Sequence, residues 1–387
     1  MSPDLEHSPD TVTPYVAPRT ELERMLAAMW SDVLGVERVG IHDDFFDLGG
    51  NSVRSLELVA RGAEAGLDFS MTDILAGATV AQIADAIAVE YKPASAPCGS
   101  TQRTPGENIR IVSLRPGNRT TAFVLLPALY DLHKVRALTG RLPEVSFHVL
   151  VPAWSPARPY VGIPSLSSEI VETIRSLQPK GPYRIVGHCG GGLVAYEAAS
   201  LLRREGEHVS LLALLDTRHP RAPGERRRLA YTLPMDLEAQ DLEPVRAKLD
   251  WLEELRASPS ASRQELMLHL WAVIRSNMTP LLRFVIDFPP SRWNEDFIDH
   301  IARDLMNFVH NCLAAESYLP GPFDARLDLV YGHLDSEAPL PTPSALAAPW
   351  EQAGVAMVKV TRATELHTEV LQSSTVVDLL SRSFDAG

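Results

Sequence analysis

The most chemically suggestive stretch of this 387-residue chain is YRIVGHCGGGLVAYEAASLLRREGE. It reads as a strand, the run Gly187-His188-Cys189-Gly190-Gly191-Gly192, and a helix from roughly Gly190 to Arg204. A nucleophile on a sharp strand-to-helix turn takes up a strained backbone conformation, and its neighbours must be small enough to crowd against it. Glycines at 187, 191 and 192 meet that need, and cysteine stands where the G-x-S-x-G pattern has serine. Two plainer readings compete. A Gly-rich loop after a strand can cradle a dinucleotide, but the GxGxxG spacing and a phosphate-cradling lysine are both missing. The other is a structural cysteine buried in the core.

A nucleophilic thiol needs a base, and the base needs an orienting acid. Asp216 directly follows the apolar run VSLLALL, 27 residues after Cys189, and His367 lies in ATELHTEV beyond the expected last strand. Nucleophile, acid, histidine is the chain order of α/β-hydrolases. Taken alone, Asp216 reads equally as a cap or turn residue, and Asp335, in YGHLDS, is a competing acid; Asp216 is favoured. His188 and His333 rival His367, but His188 adjoins the cysteine and is expected to point away from it. Residues 109–387 resemble type I thioesterases of nonribosomal peptide synthetases, with 107–218 and 326–387 carrying most of the likeness. The resemblance implies a catalytic Cys189, Asp216 and His367, with oxyanion donors at the backbone N–H of Gly190 and of Ala128. It departs at the second donor, where the usual His-Pro-x-Gly-Gly reads Leu126, Pro127, Ala128, Leu129, Tyr130.

A second chemical residue is Ser52, which opens a helix after Leu48-Gly49-Gly50-Asn51. Free amides and the macrodipole favour a phosphodiester there, although a Ser after Gly-Gly-Asn is by local grammar more often a plain N-cap. The run DDFFDLGGNSVRSLELVARGAEAGLDFSMTDILAGATVAQIADAI, 43–87, closely resembles peptidyl carrier proteins. That resemblance implies 4′-phosphopantetheine carried covalently on Ser52 and attached by a phosphopantetheinyl transferase.

The elements that must position these groups fall into two sets. TELERMLAAMWSDVL, 20–34, has apolar residues at helical spacing behind a Thr20 cap. Helices are also predicted from about Ser52 to Ala63 and over Val80–Val89, with a short apolar piece between, making a small helical-bundle carrier domain at 18–91. KPASAPCGSTQRTPGE, 92–107, reads as a linker. Beyond it IRIVSL, AFVLLP, FHVLV, YRIVG, VSLLALL, LDLVYG and VAMVKV alternate with helical patterns, an α/β domain on a mostly parallel sheet over 108–387. The fold class is thus α + α/β. A strand-free helical stretch, about 218–324, reads as a lid inserted over the carboxyl edge of the sheet.

Composition sets limits. Hydrophobic residues are 45% and charged residues 22%, ordinary for a globular protein, and the net charge of −13 argues against nucleic acid. Residues 18–92 hold 13 acidic and 6 basic side chains, a net −7 suited to docking on electropositive partner surfaces. Cys98, Cys189 and Cys312 have no metal-ligand spacing and cannot all pair, so no metal and a reducing cytoplasm are expected. No secretion signal or membrane-length apolar run is present, so neither secretion nor membrane insertion is expected. A monomer is expected, and the chain reads as the excised end of a synthetase whose upstream modules deliver a peptidyl substrate.

The resemblance therefore implies chain release: acyl transfer to Cys189, then release of the product. A cysteine nucleophile resembles thioesterases that close β-lactam or β-lactone rings, so cyclising release is expected. Hydrolytic release, a non-catalytic docking module, and editing of mischarged carriers are the alternatives.

Overall fold

The computed structural model describes residues 15–45, 47–50, 54–55, 57–58, 61–62, 65, 67, 69, 74, 79–89, 102–103, 109–114, 120–127, 132–221, 247, 250–251, 254, 257, 262–285, 295–333, 342–366, 370–371 and 373–385. The chain divides into two compact units, 1–95 and 96–387.

In the first unit, helix α1 (Glu21–Leu34) starts in a complete capping box. The Thr20 hydroxyl accepts from Glu23 N (3.1 Å) and the Glu23 carboxylate accepts from Thr20 N (3.0 Å), so two orphan donors of the first turn are satisfied reciprocally. The helix ends at Gly35, whose φ of 70° is the left-handed stop that favours glycine. Its buried stripe, Leu26, Ala27, Trp30, Val33 and Leu34, packs on Ile41, Phe45 and Leu58, with Trp30 and Phe45 edge to face at 4.9 Å. Helix α2 (Val80–Val89) closes this core with Val80, Ile83 and Ala84, and Thr79 Oγ1 accepts from Gln82 N (3.2 Å). Positions 54–55, 57–58 and 61–62 are helical, within the segment predicted as a helix.

The second unit is built on a sheet whose strands among the described residues run in the order β1-β2-β4-β3-β5-β6-β7-β8. These are β1 (Gln102–Arg103), β2 (Ile109–Leu114), β3 (Thr120–Leu125), β4 (Val145–Pro152), β5 (Tyr183–His188), β6 (Val209–Leu215), β7 (Phe323–His333) and β8 (Val355–Leu366). From β4 through β8 neighbours are parallel, whereas β1 and β2 are antiparallel additions at one edge. β1 lies in the segment read as linker: pairing with β2, not its own composition, makes those two residues a strand.

Helices follow the strands: α3 (Leu132–Arg141), α4 (Ile163–Leu177), α5 (Gly191–Arg204), α8 (Pro343–Gln352) and α9 (Ser374–Asp385). β5 is buried at every residue and α5 at nearly every one, as expected for the middle of a sheet covered by helices. Between β6 and β7 the chain inserts α6 (Arg263–Val285) and α7 (Glu295–Glu316), which pack on each other. Ala302, Met306, Val309 and Leu313 form a buried stripe along α7. Among the described residues no helix is long and apolar enough to cross a membrane.

Candidate active site

Cys189 is the first residue after β5 and α5 begins two residues later. Its φ is 50°, in the left-handed region that a non-glycine residue adopts at a cost of roughly 1 kcal/mol or more. Close packing holds it there. A Cβ on Gly187 would collide with the Gly192 backbone, one on Gly192 with the Thr217 side chain, and one on Gly191 would lie 2.5 Å from the Leu125 carbonyl oxygen. The helix is thereby pressed against the strands, and the chain has room only for a sharp reversal.

Hydrogen bonds finish the corner. Cys189 N donates to Leu215 O (2.9 Å), extending the β5–β6 ladder by one rung. The Cys189 carbonyl accepts both from Gly192 N (3.1 Å) and from the Thr217 hydroxyl (3.1 Å). Cys189 forms no disulfide, and the residue is half-buried. The adjoining His188, by contrast, is buried within β5.

Asp216 occupies the matching position one strand over, directly after β6, with a φ of 47°. Its backbone N donates to Val330 O (2.8 Å) and its Oδ1 accepts from Gly332 N (2.9 Å), so the carboxylate is anchored to the carboxyl end of β7. Tyr331 Oη donates to Thr217 O (2.7 Å) and ties the next residue to the same strand. The structure thus brings Cys189 and Asp216 to the ends of two hydrogen-bonded parallel strands, the placement their spacing implied. β8 ends at Leu366, one residue before His367. His367, Ala128, Asp335 and Ser52 lie outside the described residues.

Polar groups that the sequence reading passed over surround this edge. Asn311, on α7, is buried, and its Nδ2 donates to Pro127 O (3.0 Å). On the same helix, Asn307 accepts from Trp154 N, and His310 Nε2 accepts from Val161 N (2.9 Å). Burial holds His310 down to about 4, a neutral ring that agrees with its role as acceptor. His219, three residues after Asp216, is also held down to about 4 by burial and packs edge-on to Trp350, so it serves the core. No cluster of metal-ligating side chains occurs among the described residues.

In the first unit, the turn that leads toward position 52 is tight. Gly49 has a φ of 89°, Gly50 N donates to Phe45 O (2.9 Å), and a Cβ on Gly50 would run into the Phe45 ring. Arg54, already helical, donates from Nη1 to Gly49 O (2.9 Å).

Comparison with known proteins follows this division. A thioesterase domain family matches residues 136–379, more than half of the chain, and a phosphopantetheine attachment site family matches 24–87. Among curated relatives, chondramide synthase of Chondromyces crocatus is 34% identical over 211 residues, which is 53% of this chain and 5% of that protein. Malpinin synthetase of Mortierella alpina is 32% identical over 215 residues, 52% of this chain and 3% of that protein. The chain therefore spans only a few per cent of the relatives' length. A four-domain nonribosomal peptide synthetase, solved in its holo form with AMP and glycine, covers the whole chain with 27% of its own, at a TM-score of 0.50 and 23% identity, a likeness of fold. The first unit is accordingly a carrier domain that bears a covalently attached 4′-phosphopantetheine. The second has the α/β-hydrolase fold, and the chain belongs to the thioesterase domain family.

Proposed function

We propose that this chain releases a finished peptidyl group from a nonribosomal peptide synthetase, with Cys189 as the nucleophile. The observation that carries the reading is the half-buried, disulfide-free Cys189, held at a left-handed φ of 50° on a glycine-crowded strand-to-helix corner. Such a corner presents a side chain at the carboxyl edge of the sheet, where the fold keeps its chemistry. The proposed boundaries are 18–91 for the carrier, 92–107 for the linker and 108–387 for the thioesterase, with Ser52 bearing the cofactor. Upstream synthetase modules and a phosphopantetheinyl transferase are the proposed partners.

In this reading the substrate is an acyl thioester. His367 takes the Cys189 proton, and the sulfur attacks the acyl carbon. The imidazolium then returns the proton to the departing thiol as the old carbon–sulfur bond breaks. Asp216, its carboxylate anchored on Gly332 N, sets the tautomer of the imidazole. The N–H groups of Gly190 and Ala128 receive the oxyanion. The acyl-enzyme that results is itself a thioester, whose carbonyl stays more electrophilic than an oxoester's. That favours capture by a weak nucleophile within the peptide, closing a ring that we propose to be a four-membered lactam or lactone. The inserted helices α6 and α7 would act as the lid that keeps water from the acyl-enzyme.

Intact-protein mass spectrometry after brief exposure to a peptidyl-pantetheine thioester tests the nucleophile. The expected result is an acyl adduct on the wild type that Cys189→Ala abolishes. An adduct that persists in Cys189→Ala removes the cysteine from its role. Mass analysis of the released product then separates a ring, lighter by one water, from a linear acid; linear acid alone leaves hydrolytic release.

A further inference from the structure

Helix α7 turns three buried polar side chains toward the core unit, Asn307, His310 and Asn311, spaced i, i+3, i+4 beside the apolar stripe. A helix that only packed would carry apolar residues here, as it does at Met306, Val309 and Leu313. A buried amide costs about 1–3 kcal/mol unless it is hydrogen-bonded. Asn307 and His310 spend their bonds on the segment after β4, at Trp154 and Val161.

Asn311 does something different. Its Nδ2 grips the carbonyl oxygen of Pro127, two residues beyond β3. That oxygen belongs to the same peptide unit as the N–H of residue 128. A non-proline peptide is planar and trans, with its oxygen and its N–H on opposite edges. Holding the oxygen therefore sets the rotation of the plane and so the aim of the N–H. The orientation of the amide is settled by chemistry, because Oδ1 and the Pro127 oxygen are both acceptors and only Nδ2 can face a carbonyl. Asn311 also borders the other donor segment: a Cβ built on Gly190 would lie 3.5 Å from Asn311 Cβ and 3.6 Å from Pro127 Cβ.

We infer that Asn311 is a positioning residue of the acyl-transfer step, clamping the Pro127 carbonyl from the inserted helix so that the adjoining N–H is aimed at the oxyanion beside Gly190. The inference rests on the proposed assignment of the oxyanion donors. It makes the inserted helix part of the machinery that stabilises charge, and not merely a cover.

The test uses the full chain and two variants that lose the donor at nearly constant volume, Asn311→Leu and Asn311→Asp. Two reactions of the Cys189 thiol are timed side by side. One is acylation by a short peptidyl-pantetheine thioester, which builds an oxyanion; the other is alkylation by iodoacetamide, a direct displacement at carbon that builds none. A well-placed oxyanion donor is worth about 100- to 1,000-fold, so loosening one is expected to slow acylation by about 10- to 100-fold. Half-saturation by the thioester and the alkylation rate are expected to stay within about twofold of wild type. Unchanged acylation in both variants overturns the inference, and so does an equal fall in acylation and alkylation, which would place Asn311 in support of the elbow itself. A wild type that acylates at Cys189 while the variants match it sinks this inference alone. A wild type that forms no adduct there sinks the functional reading together with it.

Discussion

Two corners of the thioesterase unit hold the same disfavoured backbone conformation, both bonded to the next strand but only one of them crowded by glycines. Cys189 and Asp216 each follow the last residue of a parallel strand, and each has a positive φ. At Cys189 the enforcing agent is crowding, since glycines at 187, 191 and 192 admit no side chain. At Asp216 it is hydrogen bonding, through Val330 O, Gly332 N and the Tyr331 hydroxyl on the next residue. The Cys189 corner fails when atoms are added. The Asp216 corner fails when a bond is taken away.

Adding atoms should have the largest effect. Gly192→Val places a branched side chain where Thr217 sits and is expected to cost about 4 kcal/mol or more, read as a lost or strongly lowered denaturation midpoint. A wild-type midpoint would mean that crowding does not shape the corner. Asp216→Asn keeps a residue that tolerates the left-handed region and an oxygen able to accept from Gly332 N. Its stability should stay within about 0.5 kcal/mol of wild type while acyl transfer slows by about 100-fold or more. If rate and stability instead moved together, Asp216 would be a structural turn residue.

Thr217 touches both corners, so Thr217→Val sharpens the contrast. It removes the hydroxyl that donates to Cys189 O while keeping the shape, and about 1 kcal/mol of stability should go with it. No loss in urea denaturation would show that Gly192 N satisfies that carbonyl unaided. The smallest effect belongs to a region held by charge. The Arg19 guanidinium, followed by backbone N–H groups, outweighs burial and holds Glu23 down to about 2. A carboxylate depressed in the folded state stabilises fully above its unfolded value, about 4.3, and loses that contribution as pH falls toward 2. Amide-exchange protection of α1 should therefore weaken over that window by under ~1 kcal/mol, and Glu23→Gln should flatten the dependence. A flat wild-type profile would remove the ion pair from the stability of the helix.

The same contrast explains what could be read in advance. Steric and local rules leave marks in sequence. The Thr20 cap, the bounds of α2 and the glycines around Cys189 all follow from spacing and residue type, whereas the return bond to Glu23 that completes the capping box went unread. The apolar runs marked β2 through β8, but not that β2 runs antiparallel, because direction depends on partners far along the chain. Nor did they mark β1, two residues that are a strand only because Ile111 and Arg110 lie opposite them. Thr217 and Asn311 went unread for the same reason: each bonds a backbone carbonyl distant in sequence. A faint signal did exist, three polar residues set among Met306, Val309 and Leu313 on a helix otherwise patterned for burial. How His367 and Ala128 meet Cys189 remains part of the proposal, since neither lies among the described residues.

The last rungs of the ladder carry one more consequence. Because Cys189 N bonds to β6 and Asp216 N bonds to β7, the sheet acts as a ruler marked in strand widths of about 4.8 Å. In the proposed mechanism an acid serving this thiol would be fixed to that ruler and could move only by a whole strand, so reshaping for new cargo would fall to the inserted helices.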